Sequence, residues 1–442
     1  YSLVNLKLTK SAFEVIFVPE SLRMIIYFIS AFISLFVFAY GGYYFVVSVF
    51  GWSDRQTNVM PKANKIHTFA LIVAAHNEEA VIGEMVQSLF RLHYPKEAYD
   101  VFVIADNCTD STALVAKNAG AMVYERTNAT LKGKGHALEW MFDKIFKMDK
   151  KYDSISIFDA DNLVSQNYLT EMNKELNKGY EVVQGSVDSK NPFDSWVTCA
   201  YSVSFWMISR LFQNARYNLG ITCQLSGTGF VISTDLLKEM GWGATCLTED
   251  MEFTAKLALT GRKVGWAHKA VVYDEKPLTF MQSWHQRIRW MQGHSDVASR
   301  FAKKLFIKAF KDKDLSAFDC GVYLLQPVKI LCLLFATIMT WVQVTGVIKV
   351  FEISKAFGDP QLWSAVAVLQ MMYIPFVITY EKRMINLRLI WCYVTFWLYS
   401  LTWIPITIIG WLKKDNKEWS HTKHTRSISL EELEEAEKIQ NI

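Results

Sequence analysis

The 442-residue sequence has no Cys-x-x-Cys pair, no G-x-x-x-x-G-K-[ST] run and no G-x-G-x-x-G following an apolar stretch. The first absence argues against a zinc ribbon, the second against a P-loop phosphotransferase and the third against a dinucleotide enzyme. Net charge is scarce too. The 47 Lys and Arg against 43 Asp and Glu leave a formal charge of +4, too weak a field to point to a nucleic acid partner. Seven cysteines, scattered from Cys108 to Cys392, offer no disulfide framework and place the soluble part in a reducing compartment. Charged residues are only 20% of the chain and hydrophobic ones 51%, with 29 Phe, 19 Tyr and 15 Trp. Such a chain is too apolar for disorder, and part of it is expected in lipid.

No charge interrupts the run from Met24 to Ser53, which exceeds the ~20 residues needed to cross a bilayer and is too long and aromatic for a cleavable signal peptide. Three further charge-free runs cover Ile330 to Ile348, Gln361 to Tyr380 and Leu389 to Leu412. The intervening block lacks any such run. Basic residues flank it, Arg55, Lys62 and Lys65 on one side and Lys303, Lys304, Lys308, Lys311 and Lys313 on the other, which places it in the cytoplasm. Phe301, Leu305, Phe306 and Phe310 share one helical face, read as an amphipathic helix lying on the bilayer. The bland alternative is an ordinary surface helix of the domain. Three spans after a cytoplasmic block leave the C-terminal tail outside, but its basic opening KKDNKEWSHTKHTR belongs inside, and the tail is expected inside. The stretch SLEELEEAEKIQ reads as a solvated helix capped by Ser429 with Glu432.

Within the soluble block, strand-like runs at 69–75, 101–106, 121–125 and 154–160 alternate with helical stretches, the pattern of a parallel α/β sheet. Ligands of such sheets bind at the carboxyl ends of the strands. Those ends here read AHNEE, ADNCTDST and FDADN. Asp159 and Asp161 flank one alanine, a pair suited to a hard dication bridging to a diphosphate, although aspartates at strand ends also commonly cap the next helix. Farther on, LTED precedes a helical run. In QRIRW, Gln286, Arg289 and Trp290 share one helical face, able to hold a phosphate and stack on a sugar, or simply to pack as an amphipathic core helix.

Taken in order, Asp106 of ADN, FDADN, LTED and QRIRW resemble the membrane-embedded processive β-glycosyltransferases of glycosyltransferase family 2: the cellulose, chitin and hyaluronan synthases. The resemblance covers the soluble block and its flanking spans. It implies a Rossmann-like GT-A domain inserted between transmembrane helices, with segments 1–53 (first span), 54–298 (GT-A domain), 299–329 (interface helices), 330–412 (later spans) and 413–442 (tail). Asn77, Glu78, Asp106 and Lys134 would then hold the nucleotide. Asp159 and Asp161 would bind the diphosphate through Mg2+ or Mn2+. Asp250 would be the general base with Glu249 in support. Gln286, Arg289 and Trp290 would bind diphosphate and acceptor. The LSGTGF run, with Gly227 and Thr228, resembles the loop beside the acceptor terminus, with Ser226 where cellulose synthases carry cysteine. Trp419, Thr422 and Lys423 of WSHTK resemble the gating loop over the nucleotide.

The expected activity is a UDP-sugar-dependent β-polysaccharide synthase of the bacterial plasma membrane, using UDP-glucose for a cellulose-like or mixed-linkage glucan. The partners expected are the donor, the growing polysaccharide and the bilayer, with an oligomer or accessory subunit left open. UDP-N-acetylglucosamine as donor, a non-processive lipid glycosyltransferase and an inactive scaffold are the other readings. All three key carboxylates, Asp159, Asp161 and Asp250, are present, which speaks against the last.

Overall fold

A computed structural model of the chain describes residues 19–53, 64–243, 246–344, 349–352, 360–382, 387–416 and 424–435, except 425 and 434. They form two separately packed units. One holds residues 44–327 and 371–442 and contains the sheet. The other holds residues 328–370 and the chain up to 43.

Eight strands make the sheet: β1 (Phe69–Ala75), β2 (Tyr99–Asp106), β3 (Met122–Arg126), β4 (Ser154–Asp159), β5 (Leu163–Val164), β6 (Val182–Ser189), β7 (Phe230–Ser233) and β8 (Val264–Asp274). Their order is β3-β2-β1-β4-β7-β6-β8-β5. The first four are mutually parallel, β7 runs antiparallel to β4 and β6, and β6 is parallel to β8. The carboxyl ends of β1, β2, β4, β6 and β8 therefore share one edge.

The period of two along a strand explains the core. Phe69, Leu71 and Val73 of β1 pack on one face with Ile82, Met85 and Leu89 of helix Ile82–Phe90. Ala70 and Ile72 face the other way, against Leu138, Met141 and Phe142 of helix Lys134–Lys147. With both faces covered, β1 is continuously apolar, the reading that marked it in the sequence.

Among the described residues, three helices are long and apolar enough to cross a membrane: Glu20–Trp52, Gln326–Gln343 and Ile390–Leu412. The third is jointed at Thr402, between helices Leu387–Leu401 and Trp403–Leu412. The run 361–380 forms helix Pro360–Lys382, with Pro375 inside it.

Three expectations change. The face expected on the bilayer belongs to one 33-residue helix, Phe280–Asp312, and is largely covered by protein: Phe301 and Leu305 pack against Ala255, Ala258, Ala317 and Cys320, while Phe310 stays 74% exposed. The small residues on helices Glu249–Leu259 and Leu315–Leu324 let those helices approach closely. The tail helix is not merely solvated. Its capping box forms, with Ser429 N donating to Glu432 at 2.8 Å and Glu432 N to Ser429 Oγ at 3.2 Å, but Leu430 and Leu433 are buried against Leu163. Two leucines three apart make an apolar stripe that the charge around them conceals. Finally, Cys199 and Cys392 form a disulfide with Cα atoms 5.7 Å apart, where the scattered cysteines indicated no disulfide framework. A separation of 193 residues hides that pairing from any spacing rule.

Candidate active site

At the ligand edge, β4 ends in Asp159 and the chain turns immediately. Asp159 N donates to Asn162 Oδ1 and to Thr228 Oγ1, both at 3.1 Å, so the turn is closed on itself and tied to the loop before β7. That loop is held from behind by Gln184 of β6, a fully buried amide. Its Nε2 donates to the carbonyls of Thr228 and Gly229 at 2.9 and 3.1 Å, and its Oε1 accepts from Ser226 N at 2.9 Å.

Gly227 is the pivot. Its φ of +77° is the left-handed region that favours glycine, and a Cβ there would lie 3.4 Å from Asp250 Oδ2. Its carbonyl accepts from Lys134 Nζ at 2.7 Å, and the same ammonium pairs with Asp159. Lys134, Asp159 and Asp250 thus meet around one glycine. Glu249 and Asp250 open helix Glu249–Leu259, where Met251 N donates to Asp250 Oδ1 at 2.8 Å. Thr248, just before them, rests on Gly293 of the long helix so closely that a Cβ would stand 2.4 Å from its Oγ1.

These groups set one another's charge. Burial, then the neighbouring Asp250, pushes Glu249 up to about 7. Burial pushes Asp250 up to about 6, against the pull of the Met251 N–H and Lys134. Burial works against the Lys134 charge, but Asp159, Glu249 and Asp250 outweigh it and raise its pKa. Burial lowers the Arg289 pKa, and the charges of Glu249 and Asp159 act against that. Gln286 and Trp290, neighbours of Arg289 on the helix, converge on Tyr201: its hydroxyl donates to Gln286 Oε1 at 2.9 Å, and its ring meets Trp290 edge-on at 5.9 Å.

The residues expected at the nucleotide are engaged by the protein. Asp106 forms an ion pair with buried Arg126 at 2.5 Å. Asn77 has φ +55°, and its Oδ1 accepts from Thr109 N at 2.8 Å, so it shapes the loop after β2. Asp161 Oδ2 accepts from Glu275 N at 3.1 Å. His424 of the tail lies between two of these carboxylates: Nδ1 is 2.9 Å from Glu78 Oε1 and Nε2 is 3.9 Å from Asp161 Oδ2. Burial opposes its charge, but Asp161 and Glu78 outweigh burial and push its pKa up to about 10. The described part of the tail therefore packs against the ligand edge of the sheet. Trp419, Thr422 and Lys423 lie outside the described residues.

Asp159 and Asp161 offer hard oxygen donors. Among the described residues no group of three His, Cys, Asp or Glu side chains is placed to hold an ion. The chemistry of the two aspartates is of the kind Mg2+ or Mn2+ takes.

Sequence reasoning passed over Tyr201, Arg126, Gln184 and His424. Gln184 had a signal, a polar residue inside the apolar run VVQG. Tyr201 and Arg126 had none, because their roles depend on partners 85 and 20 residues away.

Residues 67–293 match the sequence profile of Glycosyltransferase like family 2, half of the chain. The chain belongs to that family. It is an enzyme, a glycosyltransferase. Curated relatives include a probable glycosyltransferase, YdaM, of Bacillus subtilis, 24% identical over 77% of this chain and 81% of that protein. A β-monoglucosyldiacylglycerol synthase of Nostoc sp. is 30% identical over 51% of this chain, which spans about half, 48%, of that relative. A poly-β-1,6-N-acetyl-D-glucosamine synthase of Staphylococcus epidermidis is 23% identical over 66% of this chain and 69% of its own. Among solved structures, a mannosyltransferase of Pyrobaculum calidifontis, in complex with GDP-Man and Mn2+, superposes with a TM-score of 0.59 at 16% identity, covering 89% of this chain and 100% of that one. The fold is thus that of a GT-A-like α/β glycosyltransferase.

Proposed function

We propose that this glycosyltransferase is an inverting, processive enzyme that takes a UDP-sugar, UDP-glucose in the favoured case, extends a β-glucan and passes it through the plasma membrane of a bacterium. The observation that carries the reading is the meeting of Asp250, Lys134 and Asp159 around Gly227, with Arg289 in the field of Glu249 and Asp159. Sugar transfer from a nucleotide donor needs a base for the attacking hydroxyl and positive charge for the departing diphosphate. This cluster provides both.

Asp250 takes the proton from the acceptor hydroxyl, and its raised pKa makes it a stronger base than an ordinary aspartate. Lys134 and Arg289 place positive charge where the diphosphate gains negative charge. A divalent ion on Asp159 and Asp161 supplies Lewis-acid neutralisation of that diphosphate when bound. The hydroxyl oxygen displaces UDP in one step, so an α-linked donor gives a β-linked product. Gln286 and Trp290, held by Tyr201, support the acceptor. The three apolar helices and the basic flanks of the domain support the multi-pass, cytoplasm-facing arrangement.

The pH profile follows from the carboxylates. Activity needs Asp250 ionised, so transfer should fall as pH drops below about 7 to 6, with the coupled pair Glu249 and Asp250 titrating as a unit. A rate that stays level down to pH 4.5 would remove Asp250 from the base role.

Trp290→Ala tests the acceptor side. It should shorten the product while leaving donor KM unchanged. An unchanged product length counts against the acceptor assignment. A lipid acceptor is the second reading, favoured by the likeness to a glucosyl-lipid synthase.

A further inference from the structure

Arg287 lies within QRIRW, and its contacts are with Ser283, Tyr399, Thr402 and Trp403. It is fully buried, and among the described residues it forms no ion pair. Its Nη1 donates to Thr402 Oγ1 at 2.7 Å and its Nε to the Ser283 carbonyl at 3.4 Å, while Nη2 has no hydrogen-bond partner among the described residues. The guanidinium lies 4.1 Å from the ring centre of Tyr399 and 5.1 Å from that of Trp403.

Burying a cation with no counter-ion among the described residues is costly, several kcal/mol in general, and cation–π contacts return only about 0.5–2 kcal/mol each. An aliphatic side chain would fill the same space at lower cost. Stability alone therefore does not account for an arginine here, and its contacts indicate what it does. Thr402 is the joint between helices Leu387–Leu401 and Trp403–Leu412. Tyr399 and Trp403 stand on either side of that joint, so one guanidinium engages both halves and the hinge between them. The long helix and Trp403–Leu412 also meet tightly farther on, where a Cβ on Gly410 would stand 2.4 Å from Met291 Cβ.

The other end of this contact is the acceptor face. Tyr399 meets Tyr201 edge-on at 5.6 Å, and Tyr201 in turn holds Gln286 and Trp290. A shift at the joint is thus transmitted through Arg287 and the two tyrosines to the side chains beside Arg289.

We propose that Arg287 is a positioning residue: it clamps the joint at Thr402 to the long helix and so keeps Gln286 and Trp290 in register with the apolar helices that follow. The proposal rests on the assignment of Gln286 and Trp290 to the acceptor. It predicts an effect on coupling between donor cleavage and transfer, with little effect on donor binding.

The test uses the full chain in lipid nanodiscs, supplied with UDP-glucose or UDP-N-acetylglucosamine, whichever the wild type consumes. UDP release and sugar incorporated into product are measured together for wild type, Arg287→Met and Arg287→Lys. For Arg287→Met the ratio of incorporation to UDP release should fall by about tenfold or more with donor KM within about twofold, since small misplacements cost about that much. Lysine, a point charge that cannot stack as a plane on both rings, should restore the ratio only in part. Thr402→Val removes the hydroxyl while keeping the shape, and should lower the ratio in the same direction if the methionine variant fails to fold. A wild-type ratio in a folded Arg287→Met or Thr402→Val protein overturns the proposal, as does a rise in donor KM matching the loss of incorporation. Failure of the processive reading would show separately, as a wild type that incorporates sugar without making polymer, and the ratio would still test Arg287.

Discussion

An Asp250→Asn protein is expected to bind UDP as the wild type does and to transfer sugar at least about a hundredfold more slowly, the lower end of what a positioned base contributes. The substitution keeps shape and one acceptor oxygen, so the Met251 N–H that Asp250 receives at 2.8 Å stays satisfied and helix Glu249–Leu259 starts as before. What goes is the group that accepts the proton. Its charge goes as well, and because Asp250 is, after burial, the main cause of the raised Glu249 pKa, that carboxyl should titrate lower in the variant. UDP affinity by calorimetry and product formation from a UDP-sugar together check the result. Full transfer activity would mean that another group deprotonates the acceptor.

Arg289→Met should cost about a hundred- to thousandfold in kcat, the scale seen when a preorganised electrostatic group is removed from a transition state. The guanidinium is half-buried in the field of Glu249 and Asp159, where low dielectric makes its charge count for more than in water. Charge on a diphosphate grows as the glycosidic bond breaks, so the loss belongs in kcat more than in donor KM. Arg289→Lys should recover part of it, since an ammonium supplies charge without the planar fork. Removing a cation near Glu249 should also move the acid limb of the pH profile upward. Steady-state kinetics at saturating donor check all three, and an unchanged kcat in the methionine variant would place the leaving group elsewhere.

The first four strands were legible for a simple reason. β1, β2 and β4 are almost wholly buried and so largely apolar, β3 is a partly exposed edge strand, and the structure begins and ends all four within two residues of the sequence reading. β6, β7 and β8 were not legible for an equally physical reason. β7 has four residues, β6 carries Gln184 and a register shift at Gly185, and β8 contains His268 and Lys269. Gln184 serves the loop before β7 and His268 pairs with Glu381, which breaks the pattern that composition can read.

The site divides in a similar way. Motifs whose chemistry is local, such as the aspartates of FDADN, mark themselves by residue type. Residues that act through a distant partner do not. Tyr201 is one tyrosine on an apolar helix until Gln286 and Trp290 are folded against it, and His424 is one basic residue in a basic tail until it reaches Glu78 and Asp161. Arg287 was visible in QRIRW, but only the fold shows that its side chain serves the helices at Thr402.

The most direct measurement is UDP release and product size from the purified protein in detergent or nanodiscs, offered UDP-glucose and UDP-N-acetylglucosamine separately with Mg2+ or Mn2+, and again after chelation. A long polymer from one donor, made only with the divalent ion and lost reversibly on chelation, is the predicted result. UDP release with a single sugar moved to lipid, or synthesis that persists without metal, would contradict it.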